Sequence, residues 1–147
     1  MIRLLLLAVL LPLLSLQAGE GRVIKVLPHL LDVRGRHTLS PSLYERDAYQ
    51  ARLRSTPDLA RGLRFDVLWK VPKATPGPYS LRIEMRGAKS DEVVVVERPV
   101  TRGLFGRRWS GVTLEESEFQ KVGSLAAWRA TLRNADGEIA ASSSFLW

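Results

Sequence analysis

Residues 63–86 read LRFDVLWKVPKATPGPYSLRIEMR, and the fold follows from the two halves of this stretch. In each half, apolar and mostly polar side chains alternate with a period of two, which is typical of a strand that buries one face. The apolar positions are Leu63, Phe65, Val67, Trp69 and Val71 in the first half and Tyr79, Leu81, Ile83 and Met85 in the second. Residues 72–78 are rich in proline and glycine and predict a turn between two strands.

Further strand-like segments flank this pair on both sides. Upstream, residues 23–27 and 30–33 predict an edge strand that is broken at Pro28, because proline cannot donate to a sheet ladder. Downstream, strands are predicted at residues 92–97 and 112–114 and in a hairpin over 127–147 that turns at Asp136-Gly137. This pattern of about seven short strands predicts an all-β, antiparallel β-sandwich that forms a single domain over residues 19–147.

Residues 41–62 interrupt the β pattern and predict a short helical insert between the first two strands. Ser42 and Glu45 match a capping box, and the helix should end before Pro57. One interpretation is structural: Tyr44 and Ala48 pack on the sandwich, while Arg46 and Asp47 pair with strand residues. The other is that the insert is a recognition element, with Arg46, Asp47 and Tyr49 as binding residues.

Two segments resemble exported bacterial modules of the immunoglobulin-like, fibronectin III-like type. They are residues 77–83, GPYSLRI, and the terminal hairpin with 128–132, WRATL, Asp136-Gly137 and 144–147, SFLW. The resemblance covers residues 63–147 and implies an immunoglobulin-like sandwich. Because the antibody cysteine pair is missing and the helical insert is added, it does not imply antigen-like recognition.

The amino terminus predicts export. Arg3, an apolar run over residues 4–16 and the small residues Ala18 and Gly19 form the parts of a signal peptide over residues 1–18. The run is short for a membrane span, which needs about 20 residues, so we expect no stable span after cleavage; a retained anchor is the alternative. The chain has no cysteine, which excludes lipidation at the cleavage point and disulfides in the domain. We expect a periplasmic or extracellular protein.

The formal net charge of +7 indicates affinity for acidic partners. Because the basic residues are spread along the chain, a solvated basic surface is the simplest interpretation, and we expect no nucleic-acid partner. The residues 102–111, RGLFGRRWSG, predict a loop with three glycines and provide the strongest contact candidates, since arginine and tryptophan are frequent at binding hot spots. These candidates are Phe105, Arg107, Arg108 and Trp109. Alternatively, Phe105 and Trp109 pack into one end of the sandwich.

Catalytic and metal chemistry are not expected. On one extended strand His29 and His37 would lie more than about 20 Å apart, and no cysteine or third histidine could complete a metal site. Ser40, Ser42 and Ser110 lie outside any nucleophile-elbow motif, and the serines near Ser40 read as helix caps. Glu115, Glu116 and Glu118 read as solvated carboxylates.

Three functions remain open at this stage. The first is a non-catalytic binding or assembly module of the cell envelope that needs no cofactor and recognises another envelope protein or an anionic glycan. The second is an envelope hydrolase or enzyme inhibitor that uses His37 with Ser40 or Asp47. The third is a chaperone-like partner that pairs through the edge strand at residues 23–33.

Overall fold

The computed structural model describes residues 21–147, which form seven strands and two α-helices. The predicted signal peptide, residues 1–18, lies outside the described residues. The elements in chain order are β1 (Arg22–Leu31), α1 (Leu43–Ser55), β2 (Gly62–Lys70), β3 (Tyr79–Gly87), β4 (Val93–Val100), β5 (Arg107–Thr113), α2 (Glu116–Val122), β6 (Leu125–Asn134) and β7 (Gly137–Ser143). A single turn of 3-10 helix at Pro57–Leu59 follows α1.

The strands form two antiparallel sheets. One sheet has three strands in the order β1-β2-β5, and the other has four in the order β4-β3-β6-β7. The prediction of an all-β, antiparallel sandwich of about seven strands is therefore confirmed. Helix α1 connects β1 to β2 within the three-stranded sheet.

The core lies between β2 and β3, the two strands predicted from residues 63–86. Phe65, Val67 and Trp69 on β2 and Leu81 and Ile83 on β3 are all completely buried. These positions are two residues apart, so each strand turns one face to the interior. Apolar burial holds the fold together without any disulfide.

Strand β1 is an edge strand, as predicted, but it is not broken at Pro28. The ladder to β2 continues through the pairs Leu27–Asp66, Pro28–Phe65 and His29–Arg64. The backbone N–H groups of an antiparallel strand point alternately toward and away from the neighbouring strand. The Leu30 N–H points away from β2 and donates to Gln50, so the backbone nitrogen of Pro28, two residues earlier, also points away from β2. A proline at this position costs no ladder hydrogen bond. The irregularity in β1 lies instead between Val23 and Lys25.

Helix α1 closes part of the free edge of β1 through the side chain of Gln50. The Gln50 amide accepts a hydrogen bond from the Leu30 N–H (2.8 Å) and donates to the Leu30 carbonyl oxygen (2.9 Å). It also donates to the carbonyl oxygen of His37 (2.8 Å). One buried side chain thus takes the place of a neighbouring strand at this position.

Two other local expectations were wrong in whole or in part. Arg107 begins strand β5, although residues 102–111 were expected to be a loop. Glu115, Glu116 and Glu118 belong to the amino-terminal turn of α2; Glu115 and Glu116 are exposed, as expected of solvated carboxylates, but Glu118 is partly buried. The Glu118 carboxylate accepts from the Glu115 N–H (2.7 Å) in a capping box, and it also forms an ion pair with Arg98 (3.0 Å).

Candidate binding surface

Three cations lie side by side at one end of the three-stranded sheet. Lys70 is paired in register with Arg22 on one side and with Arg107 on the other, and all three residues are exposed. Residues in register on neighbouring strands point to the same face, so three positive charges form a row there. Like charges directly opposite each other destabilise a sheet, and folding alone gives no reason to keep them.

The loops at this end add more positive charge. Lys73 and Arg102 line a hollow of about 250 Å³ beside Phe105, and the Arg108 guanidinium donates to the Thr101 hydroxyl (2.9 Å). Residues 70–78 and 98–114 contain no aspartate or glutamate. We name the set the basic end: Arg22, Lys70, Lys73, Arg102, Arg107 and Arg108.

An apolar tip projects from the basic end. Leu104 is 95% exposed and Phe105 is 98% exposed. The tip sits in a tight turn in which the Gly106 N–H donates to the Gly103 carbonyl oxygen (2.9 Å) and the Val71 N–H donates to the Gly106 carbonyl oxygen (3.0 Å). Gly106 has φ +76°, and a Cβ there would lie 2.5 Å from the Val71 carbonyl oxygen, so the turn requires glycine.

The four contact candidates in this region therefore lie together, but not in the expected form. Phe105 does not pack into the end of the sandwich; it is almost fully exposed. Arg107, Arg108 and Trp109 belong to β5, an edge strand. Trp109 is 48% exposed and pairs in register with Leu68 on the outer face of the sheet, two residue pairs along from Arg107 and Lys70.

The candidate binding residues of α1, which are Arg46, Asp47 and Tyr49, do not lie at the basic end. Arg46 and Asp47 form an ion pair with each other (3.0 Å) and not with strand residues. Tyr44 is 83% exposed and Ala48 is also exposed, so neither packs on the sandwich as expected. The buried residues of α1 are Gln50 and Leu53, which are three positions apart and thus share one face.

Tyr49 helps to hold the turn that joins β1 to α1. Its hydroxyl donates to Asp32 Oδ2 (2.7 Å), and the same carboxylate accepts from the backbone N–H groups of Arg34 (2.8 Å) and Arg36 (2.9 Å) and from the Arg36 side chain (2.9 Å). Burial by itself raises the pKa of Asp32, but these hydrogen bonds outweigh burial and hold the pKa well below its usual range. Asp32 is a structural anion that organises this turn.

The two histidines meet on the outer face of the same sheet. The His29 and His37 rings are stacked with centroids 4.9 Å apart, so the expected separation of more than 20 Å is wrong. The cause is the turn after Leu31, which folds residues 32–42 back over β1. His29 Nδ1 donates to Asp66 Oδ2 (3.1 Å), and Arg64 donates to Asp66 Oδ1 (2.8 Å from Nε).

Among the described residues, neither His29 nor His37 is hydrogen-bonded to Ser40, Ser42 or Ser110. Ser40 Oγ accepts from the Ser42 N–H (3.1 Å), and Ser110 Oγ accepts from Trp69 Nε1 (2.9 Å). Among residues 21–147, no side-chain hydrogen bond joins His37 to Ser40 or Asp47. The same residues hold no group of three or more His, Asp or Glu side chains that could bind a metal ion.

Within the described part of the chain, no helix is long and apolar enough to cross a membrane. Comparison with protein-family models, with curated proteins and with solved structures finds no match for this chain.

Proposed function

We propose that this protein is a non-catalytic, exported binding module of the cell envelope, and that its basic end docks on an acidic surface of another envelope protein. The observation that carries the proposal is the row formed by Arg22, Lys70 and Arg107, three like charges in register on adjacent strands. An acidic partner would relieve their repulsion on binding. The exposed Leu104 and Phe105 beside the row would supply the apolar centre that protein interfaces require.

The proposed fold type is immunoglobulin-like. In that arrangement strands A, B, E and D of one sheet face C, F and G of the other. The proposal assigns β1, β2 and β5 to A, B and E and β3, β6 and β7 to C, F and G, with β4 as an added strand beside C and with no strand D among residues 21–147. Helix α1 is then an insert between A and B. Export rests on the sequence of residues 1–18.

An anionic glycan is the second candidate partner. Trp109 and Phe105 are exposed aromatic side chains next to the arginines of the basic end, and such rings can stack on sugars while guanidinium groups bind carboxylate or sulfate. The two alternatives make different demands on the apolar tip: a protein partner buries Leu104, whereas a glycan needs mainly the aromatic and charged groups.

The other two functions have less support in the geometry. The hydrolase or inhibitor hypothesis needs His37 beside Ser40 or Asp47, whereas His37 stacks on His29 and Asp47 pairs with Arg46. Strand addition at β1 would have to displace the Gln50 amide from Leu30 and would gain no hydrogen-bond donor from Pro28.

The test measures binding of residues 19–147 to polyglutamate, to polygalacturonate and to envelope extract. We expect Arg107→Ala/Arg108→Ala to weaken polyanion binding about tenfold at low salt and to remove the captured envelope protein, because charge complementarity steers association. Arg34→Ala/Arg52→Ala is the matched control, since both arginines are exposed and away from the basic end. Equal binding by the two double variants would refute the proposal. Leu104→Ser should weaken binding to a protein partner but leave polygalacturonate binding unchanged.

A further inference from the structure

A cleft of about 680 Å³ opens at the end of the sandwich opposite to the basic end. It is bordered by β1 and β2 near Leu30 and Leu63, by α1 and the 3-10 turn, and by α2. Leu30 pairs with Leu63, whereas Arg22 pairs with Lys70, so the cleft and the basic end lie at opposite ends of the same ladder. Its volume is within the range of about 300–1,000 Å³ that is typical of ligand sites.

Most of the residues that line the cleft are apolar. Leu53 and Leu63, which are 1% and 2% exposed, are the most buried residues of its lining. Leu30, Phe119 and Leu125 also line it, and all three are partly buried side chains that pack against the core. The cleft thus exposes the edge of the hydrophobic core to a ligand.

The charged residues that line the cleft are all basic. Arg54 on α1, Lys89 after β3 and Lys121 on α2 line it, and none of the described lining residues is aspartate or glutamate. Within residues 21–147, none of these three cations takes part in an ion pair. They come from three different elements, so positive charge reaches the cleft from more than one side.

We propose that this cleft binds a single-chain amphiphile with a carboxylate head, that is, a fatty acid. A mostly apolar lining requires a ligand body with little polar surface, because an unpaired polar group would be costly to bury there. Three cations in a lining that has no aspartate or glutamate favour an anionic head at the rim. A fatty acid carries both properties in one chain. The site is independent of the function proposed for the basic end.

Calorimetric titration of residues 19–147 with carboxylates of eight, ten and twelve carbons tests the ligand class. Each added methylene should tighten binding by about fourfold until the cleft is filled, following the free energy of burying one CH₂ group. Dodecyl maltoside and dodecyltrimethylammonium, which keep the chain but change the head, should bind at least about fivefold more weakly than dodecanoate, because they lack the anion. Equal binding of all three heads would overturn the proposal, as would an absence of dodecanoate binding.

Variants place the ligand in the cleft. Ser124→Trp should abolish dodecanoate binding because the exposed Ser124 lines the cleft, where an indole would fill it. Ser117→Trp, an exposed position of α2 outside the cleft, is the matched control and should bind normally. Lys89→Ala/Lys121→Ala should weaken binding about five- to tenfold at low salt, whereas Lys73→Ala/Arg102→Ala at the basic end should not. If Lys73→Ala/Arg102→Ala weakened dodecanoate binding as much as Lys89→Ala/Lys121→Ala, the assignment of the ligand to the cleft would be refuted.

A last comparison separates a fatty acid from a peptide. An acetylated apolar tetrapeptide with a free terminal carboxylate offers the same charge on a polar backbone. We expect it to bind more weakly than dodecanoate. If it bound more tightly and lost affinity in Lys89→Ala/Lys121→Ala, the occupant would be a peptide and the fatty-acid proposal would be wrong. Loss of polyglutamate binding in Arg107→Ala/Arg108→Ala with intact dodecanoate binding would separate this site from the basic end.

Discussion

The imidazole of His37 lies on the imidazole of His29, with an angle of 20° between the two ring planes. His29 is buried and bonded to Asp66, while His37 arrives from the turn that leads to α1. The stack therefore fastens the segment 32–42 to the outer face of the sheet. This attachment is sensitive to pH, because burial and nearby positive charge disfavour a proton on His37 and lower its pKa.

Thermal unfolding between pH 8 and pH 5 tests this attachment. Burial, followed by the charges of His29 and Arg64, lowers the pKa of His37 below its usual value of 6.5. The unfolded chain therefore takes up the proton first, and the stability contributed by neutral His37 is present above pH 6.5 and is lost as the pH falls through that value. We expect the Tm to fall below pH 6.5 in the natural sequence and to fall less in His37→Gln. An equal fall in both proteins would contradict this role.

The Asp32 turn predicts a second loss of stability at lower pH. Asp32 has a usual pKa of 3.8 when unfolded, and its pKa in the fold is held well below that value. Its contribution is therefore complete above about pH 4 and declines as the pH falls further. We expect Asp32→Asn to lower the free energy of unfolding at pH 7 by about 1–3 kcal/mol, because the amide cannot accept all the bonds that the carboxylate accepts. Urea denaturation measures this.

Tyr49→Phe is the matched test of the same turn, because it removes one of the hydrogen bonds to Asp32 and keeps the ring. A loss of about 1 kcal/mol is expected, smaller than that of Asp32→Asn. If Tyr49→Phe lowered the free energy of unfolding as much as Asp32→Asn, the Tyr49 hydroxyl, and not the backbone hydrogen bonds of the turn, would be the main source of the stabilisation.

Replacement of Gln50 should affect both stability and association. Gln50→Leu leaves the N–H of Leu30 without its partner and should cost about 1–3 kcal/mol in the free energy of unfolding. The freed edge of β1 should also promote self-association, which light scattering detects. Gln50→Glu keeps an acceptor for the Leu30 N–H but loses the N–H donor to the carbonyl oxygens of Leu30 and His37. This variant should therefore be less stable than the natural sequence but self-associate less than Gln50→Leu. A monomeric Gln50→Leu variant at high concentration would argue against edge protection.

Lys70→Thr should stabilise the isolated domain. The substitution removes the central charge of the Arg22–Lys70–Arg107 row and introduces a β-branched residue in a strand. A gain of about 0.2–1 kcal/mol in the free energy of unfolding is expected at low salt, with a smaller gain at 0.5 M salt because salt screens exposed charges. The same variant should bind polyglutamate more weakly. A stabilised variant with unchanged binding would indicate that the row serves no partner.

The sequence predicted the sandwich because its central strands are simple to interpret. Phe65, Val67 and Trp69 alternate strictly with outward residues, and the period of two fixes which side chains enter the core. The edge position of β1 was also predictable from Pro28. The continuous ladder was not, because a proline interrupts a strand only when its missing N–H would face the neighbouring strand, and register cannot be read from one strand alone.

The positions that sequence reasoning missed depend on contacts between distant segments. The row of cations becomes visible only when β1, β2 and β5 are aligned, since Arg22, Lys70 and Arg107 are far apart along the chain. The His29–His37 stack depends on the turn at Asp32, and the cleft on where α2 packs. A local signal did exist for α2: Glu115 and Glu118 have capping-box spacing, and Phe119 and Val122 follow at helical spacing.

Strand β1 runs from the basic end to the cleft, so the two proposed sites lie at opposite ends of one strand. The strand begins with Arg22 at the basic end and reaches the cleft at Leu30, and eight residues of extended chain span about 26 Å at the usual rise per residue. A molecule held by its basic end therefore points its cleft away from the surface that holds it. The two proposed sites are therefore separated by the length of one strand, so a partner at the basic end would leave the mouth of the cleft open to its ligand.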